Sequence, residues 1–369
     1  MKTPLAIVAA DLHLRSLTWP SRPAIQGDSF FAFSQILEIA KKKKINELWL
    51  GGDVVETLHT GTPNSATVNV LRSGMADAFA AEINVRHIYG NHDNIEPDWI
   101  YACGGPPAMS KDRPVTIKGR TVLGLSWMPS RFLREAQAAA EADIVLCHQA
   151  WAELMPGEGS EGQLTHFRGA KLVVTGDLHQ HIYKKVRREG LSPLRVLSPG
   201  ATHMCKSNEP TSHYVAVLYD DYSITWVRLR SRAVLRYTVN DAAELDSLCL
   251  QLPEAIAKAT QVAMVQNLPS ELITPIFILR DHSGIPGVER RVTNVVGSFA
   301  HVFYRPPKIK ISEETGDIAE TQVSYSLGEF VAQESAGDPP VTDLLQALLE
   351  PGIKPAETIK QHRERYMQC

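Results

Sequence analysis

Residue types that hold metal ions occur in five short clusters along the first half of this sequence, each directly after an apolar run. The clusters are Asp11 with His13, Asp53, Asn91 with His92 and Asp93, His148, and Asp177 with His179. Carboxylate, amide and imidazole groups are ligands of divalent cations. Any one cluster could equally cap a helix or form a turn. Five in succession favour a shared metal site, where cations activate water for hydrolysis.

The apolar runs before the clusters predict strands, and amphipathic runs between them predict helices. The predicted strands are Leu5–Ala10, Glu47–Gly51, Val85–Tyr89, Val122–Ser126, Ile144–Cys147, Leu172–Thr175 and Leu194–Leu197. The predicted helices are Ser29–Lys44, Ser65–Ala81 and Ser130–Ala142. Such alternation is typical of stacked α/β layers, in which the carboxyl ends of strands meet at one edge of a sheet. We therefore expect the clusters to converge.

The composition of the chain is that of an ordinary globular protein and excludes disordered, collagen-like and coiled-coil proteins. Its 369 residues carry a net charge of −3 and are 44% hydrophobic, as in globular proteins of two or three domains. The five cysteines are scattered, which favours a reducing cytoplasm over a disulfide-bonded protein. No run approaches the roughly 20 apolar residues of a membrane span, so no membrane partner is expected.

In order and spacing the clusters resemble the calcineurin-like metallophosphoesterase superfamily, whose pattern is D-x-H, G-D, G-N-H-D or G-N-H-E, a lone H, and G-H-x-H. The resemblance covers about residues 5–200 and implies an α/β fold, with a layered αββα domain over residues 1–232. It also implies roles for individual side chains. Asp11, His13 and His179 would bind one metal, Asn91 and His148 the other, Asp53 would bridge them, His92 would be catalytic, and Asp93 would orient its imidazole.

One position departs from the family pattern. Gly176-Asp177-Leu178-His179 replaces G-H-x-H, so Asp177 stands where the family has a histidine ligand of the second metal. In an alternative register, His179 and His181 form the histidine pair. If Asp177 is a ligand, its carboxylate favours hard cations, so we expect two Mn²⁺ ions, with Mg²⁺ as the alternative.

The segment after the last cluster resembles that of SbcD-type DNA-repair nucleases. It contains Leu197–Thr202, Asn208–Pro210 and the strand pair Tyr214–Tyr219 and Ser223–Leu229, which could complete a second sheet. The resemblance implies a Mn²⁺-dependent DNA nuclease that works with an SMC-like ATPase in DNA repair or recombination. Two alternatives stay open: a stand-alone phosphodiesterase or phosphatase, and a catalytically silent DNA-binding scaffold.

The rest of the chain divides into three parts. Residues 233–310 predict a small α+β capping and DNA-binding domain, with a helix at Glu254–Asn267. Residues 311–340 predict an acidic linker. Residues 341–369 predict a helical tail, which either packs on its own domain or, as we expect, docks on the ATPase partner.

Three alternating arginines near the domain junction are candidate contacts to DNA phosphates. They are Arg228, Arg230 and Arg232, which would share one face if the strand continued that far; a merely solvated face is the alternative. In having Asp177 at this position and in its modest length, the chain also resembles phage-encoded members of the subfamily. That resemblance implies that the protein is located in the cytoplasm of a host cell. Such a subunit could also form a homodimer.

Overall fold

The structure is a computed structural model that describes residues 2–58, 61–93, 96–155 and 159–307. Its strands are β1 (Pro4–Ala9), β2 (Glu47–Leu50), β3 (Asn84–His87), β4 (Val115–Ile117), β5 (Arg120–Leu125), β6 (Ile144–His148), β7 (Leu172–Gly176), β8 (Ile182–Arg188), β9 (Leu191–Ser198), β10 (Tyr214–Tyr219), β11 (Ile224–Arg228), β12 (Val234–Val239), β13 (Ile276–Asp281) and β14 (His301–Arg305). Its α-helices are α1 (Asp28–Lys43), α2 (Ser65–Ala80), α3 (Trp99–Ala102), α4 (Ser130–Ala138), α5 (Ala242–Val265), α6 (Ser270–Ile273) and α7 (Val288–Val296). No helix in these ranges is both long and apolar enough to cross a membrane.

Two mixed sheets form the body of the molecule. The first has the strand order β11-β10-β1-β2-β3 and the second β4-β5-β6-β7-β9-β8. The strands β1, β2 and β3 run parallel, as do β5, β6, β7 and β9. The hairpin β10–β11 pairs antiparallel with β1, so it completes the first sheet and not a second one. The parallel strands carry their following loops to one edge of each sheet.

The two sheets pack face to face between layers of helices. Alternate residues of β1 and β2 point to opposite sides, so that Val8 and Trp49 lie between the sheets while Ile7 and Leu48 pack with residues of α1 and α2. Val145 of the second sheet lies in a further cluster with residues of α4. Because these strands are buried on both faces, their sequences are continuous apolar runs. The predicted αββα arrangement is confirmed.

A third sheet, β12-β13-β14, packs against α5 and α7 and forms the small α+β unit, here called the cap region. The sequence places the start of its helix at Glu254. That prediction is wrong. The helix begins at Ala242, after Asp241 accepts the backbone amide of Glu244 as N-cap, and continues through Pro253. Burial of Leu245, Leu248 and Leu252 holds the first half of the helix against the cap core.

Two of the three candidate DNA-contacting arginines instead join the cap region to the body. Strand β11 ends at Arg228, so the three side chains do not share one strand face. Arg232 is buried and pairs with Asp28 at 3.0 Å. Arg230 donates to Gln35 Oε1 on α1 at 3.3 Å. The prediction of a phosphate contact is therefore wrong for the buried Arg232, whereas for Arg228 and Arg230 it stays a prediction.

The predicted acidic linker and helical tail, residues 311–340 and 341–369, lie outside the described residues. The predicted contact of the tail with an ATPase therefore stays a prediction.

Candidate metal centre

The loops after β1, β2, β3, β6 and β7 converge at one edge of the two sheets, as their polar clusters predict. Four of the predicted ligands have a left-handed backbone: φ is 51° at Asp11, 41° at His13, 50° at Asp53 and 74° at Asp177. Non-glycine residues adopt this conformation rarely and at a cost of about 1–3 kcal/mol each. Such strain gathered around one point is typical of a functional site.

Glycines precede several of these ligands because the chains approach too closely for a side chain. A Cβ atom at Gly90 would lie 2.0 Å from Asp53 Oδ1, and one at Gly52 would lie 2.4 Å from His148 Nδ1. These contacts are well inside the van der Waals limit. The glycines of the G-D and G-N-H-D motifs are therefore required by the packing of Asp53 and His148.

Two histidines present their Nε2 atoms to each other at the end of β1 and β7. His13 Nε2 and His179 Nε2 are 3.3 Å apart. The other ring nitrogen of each is held by a carboxylate: His13 Nδ1 lies 3.0 Å from Glu56, and His179 Nδ1 lies 2.6 Å from Glu209. When Nδ1–H donates to the carboxylate, the Nε2 lone pairs face each other, an arrangement that a cation between them stabilises.

His148 is the centre of a second group of ligand atoms. Its Nδ1 lies 2.8 Å from the carbonyl of Gly51, and donation there leaves Nε2 as an acceptor. Nε2 in turn lies 3.2 Å from Asn91 Oδ1, 3.4 Å from Asp53 Oδ2 and 3.9 Å from Asp177 Oδ1. The predicted ligands of the second metal are therefore brought together.

A single oxygen of Asp53 lies between the two groups. Asp53 Oδ2 is 3.5 Å from His13 Nε2 and 3.4 Å from His148 Nε2. Beside it, Asp11 is fully buried and its Oδ2 has no hydrogen-bond partner within the described part of the chain. A buried carboxylate oxygen without a partner is costly unless it binds a cation. The side chains present fit two divalent ions that share Asp53.

The charges of this centre shift the pKa values of its members. Burial alone would lower the pKa of His148, but Asp53, Asp11 and Asp177 outweigh it and raise the pKa to about 10. Burial alone would raise the pKa of Asp53, but His148 outweighs it and holds the pKa well below its usual value. In the absence of metal, a protonated His148 thus compensates the carboxylates.

Metal binding is expected to release a proton from His148. A ligating imidazole must be neutral, and the metal-free pKa of about 10 means that this residue is protonated at neutral pH. The apparent affinity for Mn²⁺ should rise about tenfold per pH unit between pH 7 and 9 if one proton is released. Calorimetry of the metal-free protein in buffers of different ionisation enthalpy measures this proton. An affinity independent of pH in this range would show that His148 is already neutral.

The role that the resemblance gives to Asp93 falls to Glu56. Both oxygens of Glu56 lie 2.9 Å from His92 Nδ1. Asp93 instead accepts the backbone amides of Val55 at 2.8 Å and Gly90 at 2.8 Å, so it fixes the loops that carry the ligands. The prediction that Asp93 orients the His92 imidazole is thus corrected, because a carboxylate from the neighbouring loop reaches the ring.

The structure places Asp177, and not His181, beside the second ligand group. His181 is exposed, and its ring lies 4.5 Å from that of Tyr214 and 5.5 Å from that of Trp226, centroid to centroid. Asp177 donates its amide to Asp11 Oδ1 at 2.9 Å, and its carboxylate faces His148. This geometry favours the register with Asp177 and His179 over the alternative with His179 and His181.

Asp177→His is expected to keep activity and to shift metal preference toward softer ions such as Zn²⁺, because it replaces an oxygen ligand by a nitrogen. His181→Ala should change activity less than about twofold, since its ring contacts only the aromatic hairpin residues in the described structure. Metal content by mass spectrometry after loading with equal Mn²⁺ and Zn²⁺ measures the metal preference, and hydrolysis of bis-p-nitrophenyl phosphate measures the activity. Loss of metal from His181→Ala, with retention in Asp177→Ala, would reverse the register.

Sequence reasoning missed Glu56 and Glu209 as members of the site. Glu56 lies three residues after Asp53, and Glu209 lies in the Asn208–Pro210 segment, far from any ligand motif. The histidine contact of Glu56 holds its pKa below its usual range against the opposing effect of burial, and that of Glu209 does the same. Both carboxylates are therefore charged and fix the metal-facing tautomer of their histidines.

Comparisons with known proteins find one family model that matches the first half of the chain. Residues 6–181, just under half of the chain, match the family model of calcineurin-like phosphoesterases. Similar solved structures include a novel archaeal phosphodiesterase at 13% identity, which covers 62% of this chain and 100% of its own, with a TM-score of 0.35. They also include a protein of Thermus thermophilus at 13% identity, which covers 62% of this chain and 100% of its own, with a TM-score of 0.39. A dimetal phosphatase from Danio rerio is 12% identical and covers 59% of this chain and 94% of its own, with a TM-score of 0.34. No curated protein matches the chain.

The matched segment contains every predicted metal ligand from Asp11 to His179. Residues 6–181 are therefore similar to calcineurin-like phosphoesterases, and the protein is a hydrolase that acts on phosphoester bonds. The family depends on two metal ions, for which this chain offers the two ligand groups described above.

Proposed function

We propose that this protein, through its calcineurin-like phosphoesterase domain, is a Mn²⁺-dependent nuclease that hydrolyses the phosphodiester bonds of DNA. The observation that carries the proposal is the Asp53 oxygen that lies within 3.5 Å of both His13 Nε2 and His148 Nε2. A carboxylate shared by two ligand groups suits two adjacent cations. The oxygen ligands Asp11, Asp53 and Asp177 favour hard ions such as Mn²⁺ and Mg²⁺.

When bound, two cations polarise the phosphate oxygens and lower the pKa of the attacking water. His92 stands beside them, with its side chain 24% exposed and therefore accessible to a substrate. Its backbone amide donates to Asp53 Oδ1 at 2.9 Å, which fixes the residue relative to the shared carboxylate. Its ring is held by Glu56, whose hydrogen bond and charge raise the pKa of the imidazole against the opposing effect of burial. A protonated His92 can donate a proton to the departing oxygen of the phosphodiester.

Two features support DNA over a small phosphoester as the substrate. The segment from Leu197 to the β10–β11 hairpin resembles that of SbcD-type nucleases. The cap region also packs beside the metal centre, where Arg236 donates to the backbone carbonyl of Glu209, the residue that holds His179. A region placed there extends the surface available to a polymer beyond the reacting phosphate.

The experiment is to incubate the pure protein and Mn²⁺ with end-labelled single-stranded and duplex DNA, and in parallel with bis-p-nitrophenyl phosphate. We expect both DNA and the small diester to be cleaved, and Asp112→Asn, which changes an exposed carboxylate, to behave like the wild type. Cleavage of the small diester without any DNA product would favour a stand-alone phosphodiesterase. Cleavage of neither, with metal bound, would favour the catalytically silent scaffold.

Deletion of residues 341–369 tests the proposed ATPase partner. The apolar positions Val341, Leu344, Leu345, Leu348 and Leu349 follow a helical spacing, and an isolated helix this short is marginal in water, so the tail must pack on another surface. We expect the truncated protein to retain cleavage of single-stranded DNA and to lose co-purification with an SMC-like ATPase, measured by affinity capture of tagged protein. Unfolding of the truncated protein on deletion would show instead that the tail belongs to its own core.

A further inference from the structure

The face of the cap sheet that carries no helix is divided into an apolar half and a basic half. Strand pairing places Arg236 opposite Ile278, and Arg280 opposite Arg305, so these side chains share one face with Ile276 and Phe303. Ile276 and Ile278 pack on Trp19, Ile25 and Met204 of the body. The other face, with Phe277 and Leu279, packs with α5 and α7. The helix-free face therefore docks on the body and leaves its arginines at the edge of that contact.

The three arginines of this face, Arg236, Arg280 and Arg305, are here called the arginine face and form a cluster of like charge. Partial burial, together with the charges of Arg280 and Arg305, lowers the pKa of Arg236 against the opposing charge of Glu209, so Arg236 is repelled by both of the other arginines. Within the described ranges, none of the three forms an ion pair with a carboxylate within 4.0 Å. Like charges held together without a counter-ion destabilise a fold unless an anion binds them.

The arginine face is linked directly to the metal centre through the segment from Cys205 to Glu209. Arg236 donates to the backbone carbonyls of Ser207 and Glu209, and Arg305 donates to Ser207 Oγ. The side chain of Glu209 points the opposite way and holds His179 at 2.6 Å. One short segment thus contacts Arg236 and Arg305 through Ser207 and a metal ligand through Glu209.

We propose that Arg236, Arg280 and Arg305 bind a phosphate of the substrate that neighbours the phosphate being hydrolysed. This inference rests on the proposed nuclease function and specifies how the strand is held. Guanidinium groups match phosphate oxygens in geometry and charge. A substrate with one phosphate would gain nothing from the arginine face, whereas a nucleic-acid strand, with a phosphate at every nucleotide, would engage it and the metal centre together.

The test measures binding apart from catalysis. Fluorescence anisotropy of a labelled oligothymidylate, in EDTA so that no metal is bound, is compared for the wild type, Arg280→Gln and Arg305→Gln. We expect each substitution to weaken binding at least about tenfold, and the slope of log affinity against log salt to fall by about 1. Arg280→Lys, which keeps the charge, should recover part of the affinity. Arg290→Gln, which removes an exposed arginine from α7 on the opposite side of the cap sheet, is the matched control and should bind like the wild type.

The outcomes separate this inference from the proposed function. If Arg280→Gln and Arg305→Gln bind the oligonucleotide as tightly as Arg290→Gln while the wild type cleaves DNA, the arginine face is not a phosphate site and the nuclease proposal stands. If the wild type hydrolyses bis-p-nitrophenyl phosphate but neither binds nor cleaves DNA, both proposals fail. Competition by dTTP that is stronger than competition by unlabelled oligothymidylate would show that the arginine face takes a nucleotide polyphosphate and not a strand. Melting temperatures within about 3 °C of the wild type exclude loss of folding as the cause.

Discussion

Asp53→Asn is expected to remove metal binding and to lower phosphodiester hydrolysis by about a thousandfold or more. The carboxylate lies between the His13 and His148 groups, with one oxygen within 3.5 Å of both imidazoles. The amide has nearly the same shape but no negative charge, so it cannot hold two cations together. Metal content by mass spectrometry and hydrolysis of bis-p-nitrophenyl phosphate measure the two effects.

The matched control for Asp53→Asn is Asp112→Asn, which changes the same group at an exposed position. It should keep both metals and full activity. Two bound metals in Asp53→Asn with near-normal turnover would contradict a shared carboxylate. It would mean that each ligand group holds its ion independently.

His92→Ala is expected to keep the metals and to lower kcat by about 10²–10⁴, the range for loss of a general acid. The imidazole is held at Nδ1 by Glu56, and its ring is accessible from the site. Burial alone would lower the pKa of His92, but the hydrogen bond and charge of Glu56, with the charge of Asp53, raise it. Glu56 therefore favours the protonated imidazole, and activity should decline as pH rises through the pKa of His92.

Glu56→Gln supplies the second readout for this role. Removing the carboxylate removes a cause of the raised His92 pKa, so the alkaline limb of the pH profile should move to lower pH. Glu135→Gln, at an exposed position of α4, should leave the profile in place. An empty metal site in His92→Ala would assign His92 to metal binding. An alkaline limb that does not move in Glu56→Gln would show that this limb does not report the protonation of His92.

The sequence alone determined the parallel strands of the body and the side chains of the candidate metal centre. Strands such as β1 and β6 are buried on both faces, so their apolar runs are continuous and their ends are marked by the first polar residue. In parallel strands that polar residue lies at the carboxyl edge, where Asp11, Asp53 and His148 meet. Local sequence was sufficient because each ligand is placed by its own strand.

Tertiary structure decided which side chains support those ligands. Glu209 reaches His179 across 30 residues, and Glu56 takes the contact with His92 that the motif assigns to Asp93. The alternating pattern predicts Arg232 to be a surface residue of a strand, but the residue is buried against Asp28, which is 204 residues away in the chain. No local sequence pattern predicts such pairings, because the residues around a charged side chain are the same whether that side chain contacts solvent or a distant carboxylate. The free energy that selects between them arises only when burial brings the two charges together.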